Sequence, residues 1–128
     1  MGIKKHQIEV YPFAFNKILS NDRKIDVRPY TKNMHDIAVG DMVDYVNLEN
    51  KESVVREVKG IALFDDFETM INMLSPELIG YKSRKEVMLR VERMYSKDIE
   101  QKNGVMAIFL DIPKVKHMMS FRVLGRVD

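Results

Sequence analysis

The chain has 128 residues and a formal net charge of +2, and 45% of its residues are hydrophobic while 31% are charged. These values are typical of a small globular protein, so residues 1–128 are predicted to form one domain. The chain has no cysteine, which excludes disulfides, thiolate metal sites and a cysteine nucleophile. No apolar run approaches the roughly 20 residues that span a bilayer, and no secretory signal is visible. We therefore expect a cytoplasmic protein without membrane contact.

Hydrophobic patterning divides the chain into short strands and helices. In chain order, the pattern predicts a strand at His6–Val10, a helix from Tyr11 to about Ser20, strands at 23–28, Met42–Leu48 and Ser53–Leu63, a short helix after Asp65, a helix from Ser83 to about Tyr95, and strands at Gly104–Ile112 and Met118–Val127. Both later helices begin with a capping-box pattern, Asp65 with Glu68 and Ser83 with Glu86. Gly60 inside a strand predicts a bulge or bend.

The strand at residues 23–28 carries the most distinctive pattern. Ile25 and Val27 alternate with Lys24, Asp26 and Arg28. Because successive side chains of a strand point to opposite faces, one face is apolar and the other displays a cation, an anion and a cation. Such a face is suited to the floor of a polar cleft. The alternative is an ordinary amphipathic strand with a solvated face.

The order and spacing of several short motifs resemble the ASCH domain, whose signature is approximately G-x-K-x-x-E-x-R followed by a G-D pair. Asn21-Asp22-Arg23-Lys24-Ile25-Asp26-Val27-Arg28 corresponds to the signature, and Gly40-Asp41-Met42-Val43 corresponds to the G-D step. Phe64-Asp65-Asp66-Phe67-Glu68-Thr69-Met70 is similar to a conserved helix start of that family, and Tyr95 followed by Gly104–Ile112 is similar to its closing passage. The resemblance covers nearly the whole chain.

Three positions depart from the signature of the family. Asn21 replaces the glycine, Asp26 shortens the glutamate, and the lysine falls on Arg23 with Lys24 beside it. Either cation remains a candidate for the role of the family lysine. The resemblance implies an α+β, mainly β fold: a PUA-like closed β-barrel of about six strands with two or three flanking short helices. An open α+β sandwich is the alternative.

Binding of RNA, a nucleotide or a nucleoside is the function that these residues favour. Arginine and lysine suit a phosphate, Asp26 suits a base edge or clamps Arg28, and a helix N-terminus with an adjacent tyrosine suits the opposite wall. The other interpretation of Tyr81 is a packed loop aromatic, and Tyr95, at the end of an apolar stripe, is interpreted as a core residue. The predicted ligand-binding residues are Arg23, Lys24, Asp26, Arg28, Tyr81, Lys82 and Arg84.

Two other classes of function remain open, and the sequence does not decide whether the chain is an enzyme. One branch of ASCH-like proteins, the N4-acetylcytidine amidohydrolases, implies a hydrolase of RNA or a modified nucleoside. That branch has a lysine and a threonine on the charged strand and a later glutamate. Lys24 or Arg23 and Asp26 correspond to the first two, and Glu77 is the nearest acidic residue to the third because Gly80 occupies its counted position.

The remaining class is a protein-interaction module. Ten methionines are present, and methionine is common at adaptable binding surfaces, so the pair Met118-Met119 is the candidate patch. A metal site is not predicted, because His6, His35 and His117 lack the short spacings of metal-binding clusters. No cofactor motif is present either.

Overall fold

The computed structural model describes residues 2–113, and within them it contains five strands and five α-helices. In chain order these are β1 (Lys5–Val10), α1 (Pro12–Leu19), β2 (Ile25–Pro29), β3 (Met42–Asn47), β4 (Ser53–Phe64), α2 (Phe67–Met73), α3 (Pro76–Ile79), α4 (Arg84–Met94), α5 (Lys97–Asn103) and β5 (Val105–Asp111). No helix in this part of the chain is long and apolar enough to cross a membrane. The predicted strand Met118–Val127 lies outside the described residues, as does the pair Met118-Met119.

The strands form one five-stranded sheet in the order β1-β3-β4-β5-β2. β1 pairs with β3 in parallel, and the other three neighbouring pairs are antiparallel. The register of β4 against β5 shifts between Val58 and Gly60, which is the irregularity that Gly60 predicted. A bulge bends its strand and increases the local twist, so the longest strand of the sheet can turn a corner here.

A contact between distant strands shows how strongly the sheet curls. The hydroxyl of Tyr45 on β3 donates a hydrogen bond to Oδ2 of Asp26 on β2 at 2.8 Å. In a flat sheet of this order, the two strands would be three spacings apart, or about 14 Å. One tyrosine side chain does not span that distance, so the sheet is curled into a half-barrel.

The predicted α+β fold with a PUA-like barrel is therefore confirmed, with two differences in number. The described residues contain five strands where about six were predicted, and five α-helices where two or three were predicted. β1 and β2 are the two edges of the sheet in this part of the chain, and no ladder of hydrogen bonds joins them.

The unpredicted helices α3 and α5 are short and carry few buried side chains, so their apolar periodicity is weak. The cap of α2 is also one residue later than predicted, because Asp66 rather than Asp65 accepts a hydrogen bond from the backbone N–H of Thr69. The cap of α4 is confirmed at Ser83, which accepts from the backbone N–H of Glu86.

Two hydrophobic clusters lie on opposite faces of the sheet. β5 contributes Met106 and Ile108 to the cluster inside the half-barrel, and Val105 and Ala107 to the cluster under the helices. Because strand side chains alternate, a strand buried on both faces must be continuously apolar. β5 is flanked by β4 and β2, which confirms its prediction as a central strand.

The Gly40-Asp41 step fixes the start of β1 to the loop before β3. Gly40 has a φ of +96°, a conformation that glycine adopts without steric cost. The carboxylate of Asp41 accepts hydrogen bonds from Nε2 of His6 at 2.7 Å and from the backbone N–H groups of Lys4 and Ala38. Burial would raise the pKa of Asp41, but these hydrogen bonds outweigh it and hold the pKa below its ordinary value.

Replacing Asp41 by Asn is expected to lower the free energy of unfolding by about 1–3 kcal/mol at neutral pH, because charge-assisted hydrogen bonds are weakened. The folded-state pKa lies below the unfolded value, so the carboxylate stabilises the fold above its ordinary pKa. This contribution is lost as the pH falls through the folded-state pKa. In urea denaturation, the free energies of unfolding of wild type and Asp41→Asn should differ less at about pH 3 than at pH 7. The exposed Asp36→Asn is the control, and a pH-independent difference would contradict the prediction.

Candidate functional site

A cavity of about 620 Å³ is bordered by both edge strands of the sheet, and we call it the main cavity. β1 contributes Glu9 and Val10, and β2 contributes Asp26, Val27 and Arg28. Helices α1 and α4 supply the other walls. Its volume lies within the range of small-molecule binding sites. Among residues 2–113, the main cavity thus lies beside the two strands that form the edges of the sheet.

Asp26 and Arg28 form an ion pair on the floor of the main cavity, in which the carboxylate is buried and the guanidinium is half-buried. Asp26 is 1% exposed, and its Oδ2 accepts hydrogen bonds from Nε of Arg28 at 3.0 Å and from the hydroxyl of Tyr45 at 2.8 Å. On the other face of β2, Ile25 packs in the cluster under the helices. At Asp26 the polar face is therefore covered rather than solvated, which contradicts the alternative of an ordinary solvated face, although Lys24 at the start of the predicted strand is exposed.

The charge state of this group follows from its surroundings. Burial would lower the pKa of Arg28, but the attraction of Asp26 outweighs it and the pKa is raised above its ordinary value. Burial and then the Asp26 carboxylate raise the pKa of Tyr45 well above its usual range. Burial also raises the pKa of Tyr95, although Arg28 opposes this. The main cavity thus presents the Arg28 cation and a neutral Tyr95 phenol at physiological pH, and the neutral phenol of Tyr45 lies buried against Asp26.

Of the two candidates for the lysine position of the signature, Arg23 borders the main cavity and Lys24 does not. Arg23 donates from Nε to the carbonyl oxygen of Ile79 at 2.9 Å and from Nη2 to the hydroxyl of Tyr81 at 3.0 Å. Lys24 is exposed, and its Nζ donates to the carbonyl oxygen of Asn21. Geometry therefore favours Arg23, although the role of either residue stays a prediction.

The replacement of the signature glycine by Asn21 has a structural explanation. Asn21 has a φ of 69°, in the left-handed region that asparagine tolerates better than most residues. Its Oδ1 also accepts a hydrogen bond at 3.1 Å from Nη2 of Arg56, which donates to the carbonyl oxygen of Ile18 as well. The asparagine side chain thus links the end of α1 to β4, which a glycine would not do.

The three predicted residues near the start of α4 are spread over different surfaces. Tyr81 borders the main cavity, and Lys82 borders a neighbouring depression. Arg84 is exposed and donates a hydrogen bond to Oδ1 of Asn72. The wall of the main cavity opposite β2 is formed by later residues of α4, among them Val87 and Arg90, rather than by the helix start.

Arg90 is a cavity residue that sequence reasoning missed. The spacing predicts an ion pair with Glu86, but the carboxylate of Glu86 instead accepts from the backbone N–H of Lys82 at 2.7 Å. The guanidinium of Arg90 lies over the ring of Phe13, 4.0 Å from its centroid. Phe13 is 46% exposed, whereas Phe15 and Ile18 are the buried residues of α1. The signal available in the sequence was an aromatic residue in α1 at a position that does not face the core.

Of the residues that the hydrolase alternative names, Arg23 and Asp26 border the main cavity, but the acidic candidate Glu77 does not. Glu77 is exposed at the start of α3, accepts from the hydroxyl of Ser75 at 2.6 Å and does not border the cavity. Lys24 is also outside. The carboxylates that border it are Glu9 and Asp26. Within residues 2–113, no cluster of three His, Asp or Glu side chains is positioned to hold a metal ion.

Removing either partner of Asp26 is expected to destabilise the fold, and removing the cation should cost more than removing the tyrosine hydroxyl. Tyr45→Phe should cost about 1–2 kcal/mol because one hydrogen bond is lost. Arg28→Ala should cost about 3–5 kcal/mol because it leaves the carboxylate buried without its cation. Urea denaturation measures both, with the exposed Lys24→Ala as the control. Equal effects of Arg28→Ala and Lys24→Ala would contradict a stabilised buried pair.

Comparison with known proteins gives matches in structure. No protein-family model matches the chain, and no curated protein gives a significant match. Hypothetical protein PH0355 is 26% identical, with a TM-score of 0.73 over 84% of this chain and 97% of its own. Protein PF0455 from Pyrococcus furiosus is 25% identical, with a TM-score of 0.66 over 84% and 96% of the two chains.

A third solved structure carries the family name that the motifs indicated. ASCH from Zymomonas mobilis is 14% identical and superposes with a TM-score of 0.60 over 96% of this chain and 82% of its own. At this identity the likeness concerns the fold. The chain therefore has the fold of the ASCH domain, and the resemblance seen in its sequence motifs is confirmed.

Proposed function

We propose that this protein binds RNA or a nucleotide, with a base seated in the main cavity. The observation that carries the proposal is the buried Asp26–Arg28 pair, which opens into a cavity between the two edges of the sheet. An ion pair buried only for stability gains little over an apolar pair of similar volume. A binding site, in contrast, needs a polar group held in a fixed orientation.

Arg28 has donors left for a ligand. Its Nε bonds to Asp26 at 3.0 Å and its Nη2 is 3.5 Å from the same carboxylate, whereas Nη1 has no hydrogen-bond partner among the described residues. The clamp by Asp26 orients the guanidinium before any ligand arrives. A guanidinium fork matches the acceptors of a base edge or a phosphate. Asp26 thus supports Arg28, which was one of its two predicted roles.

Aromatic side chains and arginines supply planes on which a base can stack. Tyr11 at the cap of α1 and Phe13 in its first turn are 64% and 46% exposed, and both border the main cavity together with Tyr81 and Tyr95. Arg23 lies over Tyr81, with 5.5 Å between the guanidinium carbon and the ring centroid. Single-stranded nucleic acids are recognised mainly by stacking on such groups and by hydrogen bonds to base edges.

Arg28→Lys is expected to weaken binding of RNA about tenfold while preserving the fold. Lysine keeps a cation beside Asp26 but loses the bidentate fork. Fluorescence anisotropy with labelled single-stranded RNA hexamers of random sequence measures the affinity at several salt concentrations, since phosphate contacts make affinity fall with log salt. The exposed Lys85→Ala is the control. A folded wild-type protein that binds no hexamer at low salt would contradict the proposal. If Arg28→Lys bound the hexamers as tightly as wild type, the main cavity would not be the binding site.

Alanine substitutions at Lys24 and Arg84 test whether these two residues, predicted from the sequence, contribute to binding. Both side chains are exposed and do not border the main cavity. We therefore expect each to weaken hexamer binding less than twofold, as exposed charges at a distance are screened by salt. A loss of affinity as large as that caused by Arg28→Lys would show that Lys24 or Arg84 contributes to the binding site.

A hydrolase of RNA or a modified nucleoside stays the alternative activity, and a protein-interaction module stays the second alternative. Both oxygens of Asp26 accept from Arg28, and Oδ2 also accepts from Tyr45, which argues against its use as a proton donor. Chromatography of the RNA mixtures after incubation tests the point. A cleavage or deacylation product that disappears in Asp26→Asn would replace the binding proposal by a catalytic one.

A further inference from the structure

A second depression of about 360 Å³ adjoins the main cavity, and we call it the basic groove. The two share Phe13, Tyr81 and Arg90 as a common wall. Four cations border the basic groove: Lys17, Lys82, Arg90 and Arg93. Its acidic member is Glu86, whose carboxylate is engaged by the backbone N–H of Lys82. The groove therefore has a clear excess of positive charge directly beside the predicted base site.

One of these cations is held rigidly at the shared wall. Nζ of Lys17 lies 4.9 Å from the ring centroid of Phe13 and 5.0 Å from that of Tyr81, and it donates to the carbonyl oxygen of Gly80 at 2.6 Å. Gly80 has a φ of +101°, and a Cβ there would come within 3.2 Å of the Lys17 side chain. The glycine thus permits both the turn and the close approach of the lysine.

A second cation at the shared wall has an unused donor. Nε of Arg90 is buried and has no hydrogen-bond partner among residues 2–113, although its guanidinium is fixed over the ring of Phe13. A buried polar group without a partner is costly, and in proteins such groups are uncommon. Arg90 borders both cavities, so the part of its guanidinium that faces them is positioned to contact a ligand that spans the two.

We propose that the basic groove binds a phosphate ester of the nucleoside whose base occupies the main cavity. This inference rests on the proposed function and specifies its ligand as a phosphorylated nucleotide or an RNA strand rather than a free nucleoside. Lysine binds a phosphate as a point charge and arginine binds it as a fork. The aromatic wall between the cavities separates the site for the neutral planar base from the site for the anion.

The double variant Lys82→Ala/Arg93→Ala tests the groove without touching the main cavity. Both side chains are exposed, so the fold should persist, as thermal melting will verify. The matched control is Lys85→Ala/Lys102→Ala, which removes two exposed helical lysines that border neither cavity. The probes are the four ribonucleosides, their 5′- and 3′-monophosphates, and the random RNA hexamers.

The groove variant should bind hexamers about tenfold more weakly, with a salt slope smaller by about 0.7 for each phosphate that the variant no longer neutralises. Its affinity for nucleosides should be unchanged. Parallel weakening of the monophosphates would identify a terminal phosphate as the group bound. Weakening of the hexamers without the monophosphates would identify an internucleotide phosphate.

Failure of this inference is distinguishable from failure of the proposed function. Wild-type affinity of the groove variant for every phosphorylated probe, together with weakened binding by Arg28→Lys, would overturn the phosphate site and leave base binding in place. Equal weakening by the groove variant and the lysine control would also overturn it, because overall charge would then explain the effect. Weakening by the groove variant but not by Arg28→Lys would leave an anion site in the groove but would overturn base binding in the main cavity, and with it the assignment of that anion to the same nucleotide.

Discussion

The buried pair of Asp26 and Arg28 is the constraint on which the rest of the site depends. A carboxylate that is 1% exposed requires partners for its charge, and it finds them in Arg28 two residues along β2 and in Tyr45 on β3. The second contact exists because the sheet curls. Curling in turn brings both edge strands to one cavity, where the guanidinium that the carboxylate orients becomes available to a ligand.

The walls of the main cavity also protect the two edge strands, β1 and β2, from pairing with strands of other molecules. Edge strands present unpaired backbone groups and are prone to pair with other chains. Here α1 and α4 flank the space beside β1 and β2, and their side chains border it together with those of the strands. The same gap therefore leaves room for a small molecule while the flanking helices limit approach by another strand.

Sequence patterning predicted the elements well and the site only in part, for one physical reason. Strand and helix periods are local, so β2, β5 and the Ser83 cap followed from neighbouring residues. Whether the polar face of β2 is solvated or covered depends on Tyr45, far along the chain from Asp26, and alternation alone does not carry that information. Arg90 makes the same point. Helical spacing pairs it with Glu86, yet its guanidinium lies over the ring of Phe13, which is distant in sequence.

Local charge, rather than total charge, decides what the site attracts. The chain as a whole has a net charge of +2, which says little about partners. The cations and anions that border the main cavity nearly balance, because Asp26 and Glu9 oppose its arginines, whereas those of the basic groove do not. A ligand with a neutral planar part and an anionic part would therefore be oriented by the field before contact. Arg90 borders both cavities, so its guanidinium would contact such a ligand where its two parts join.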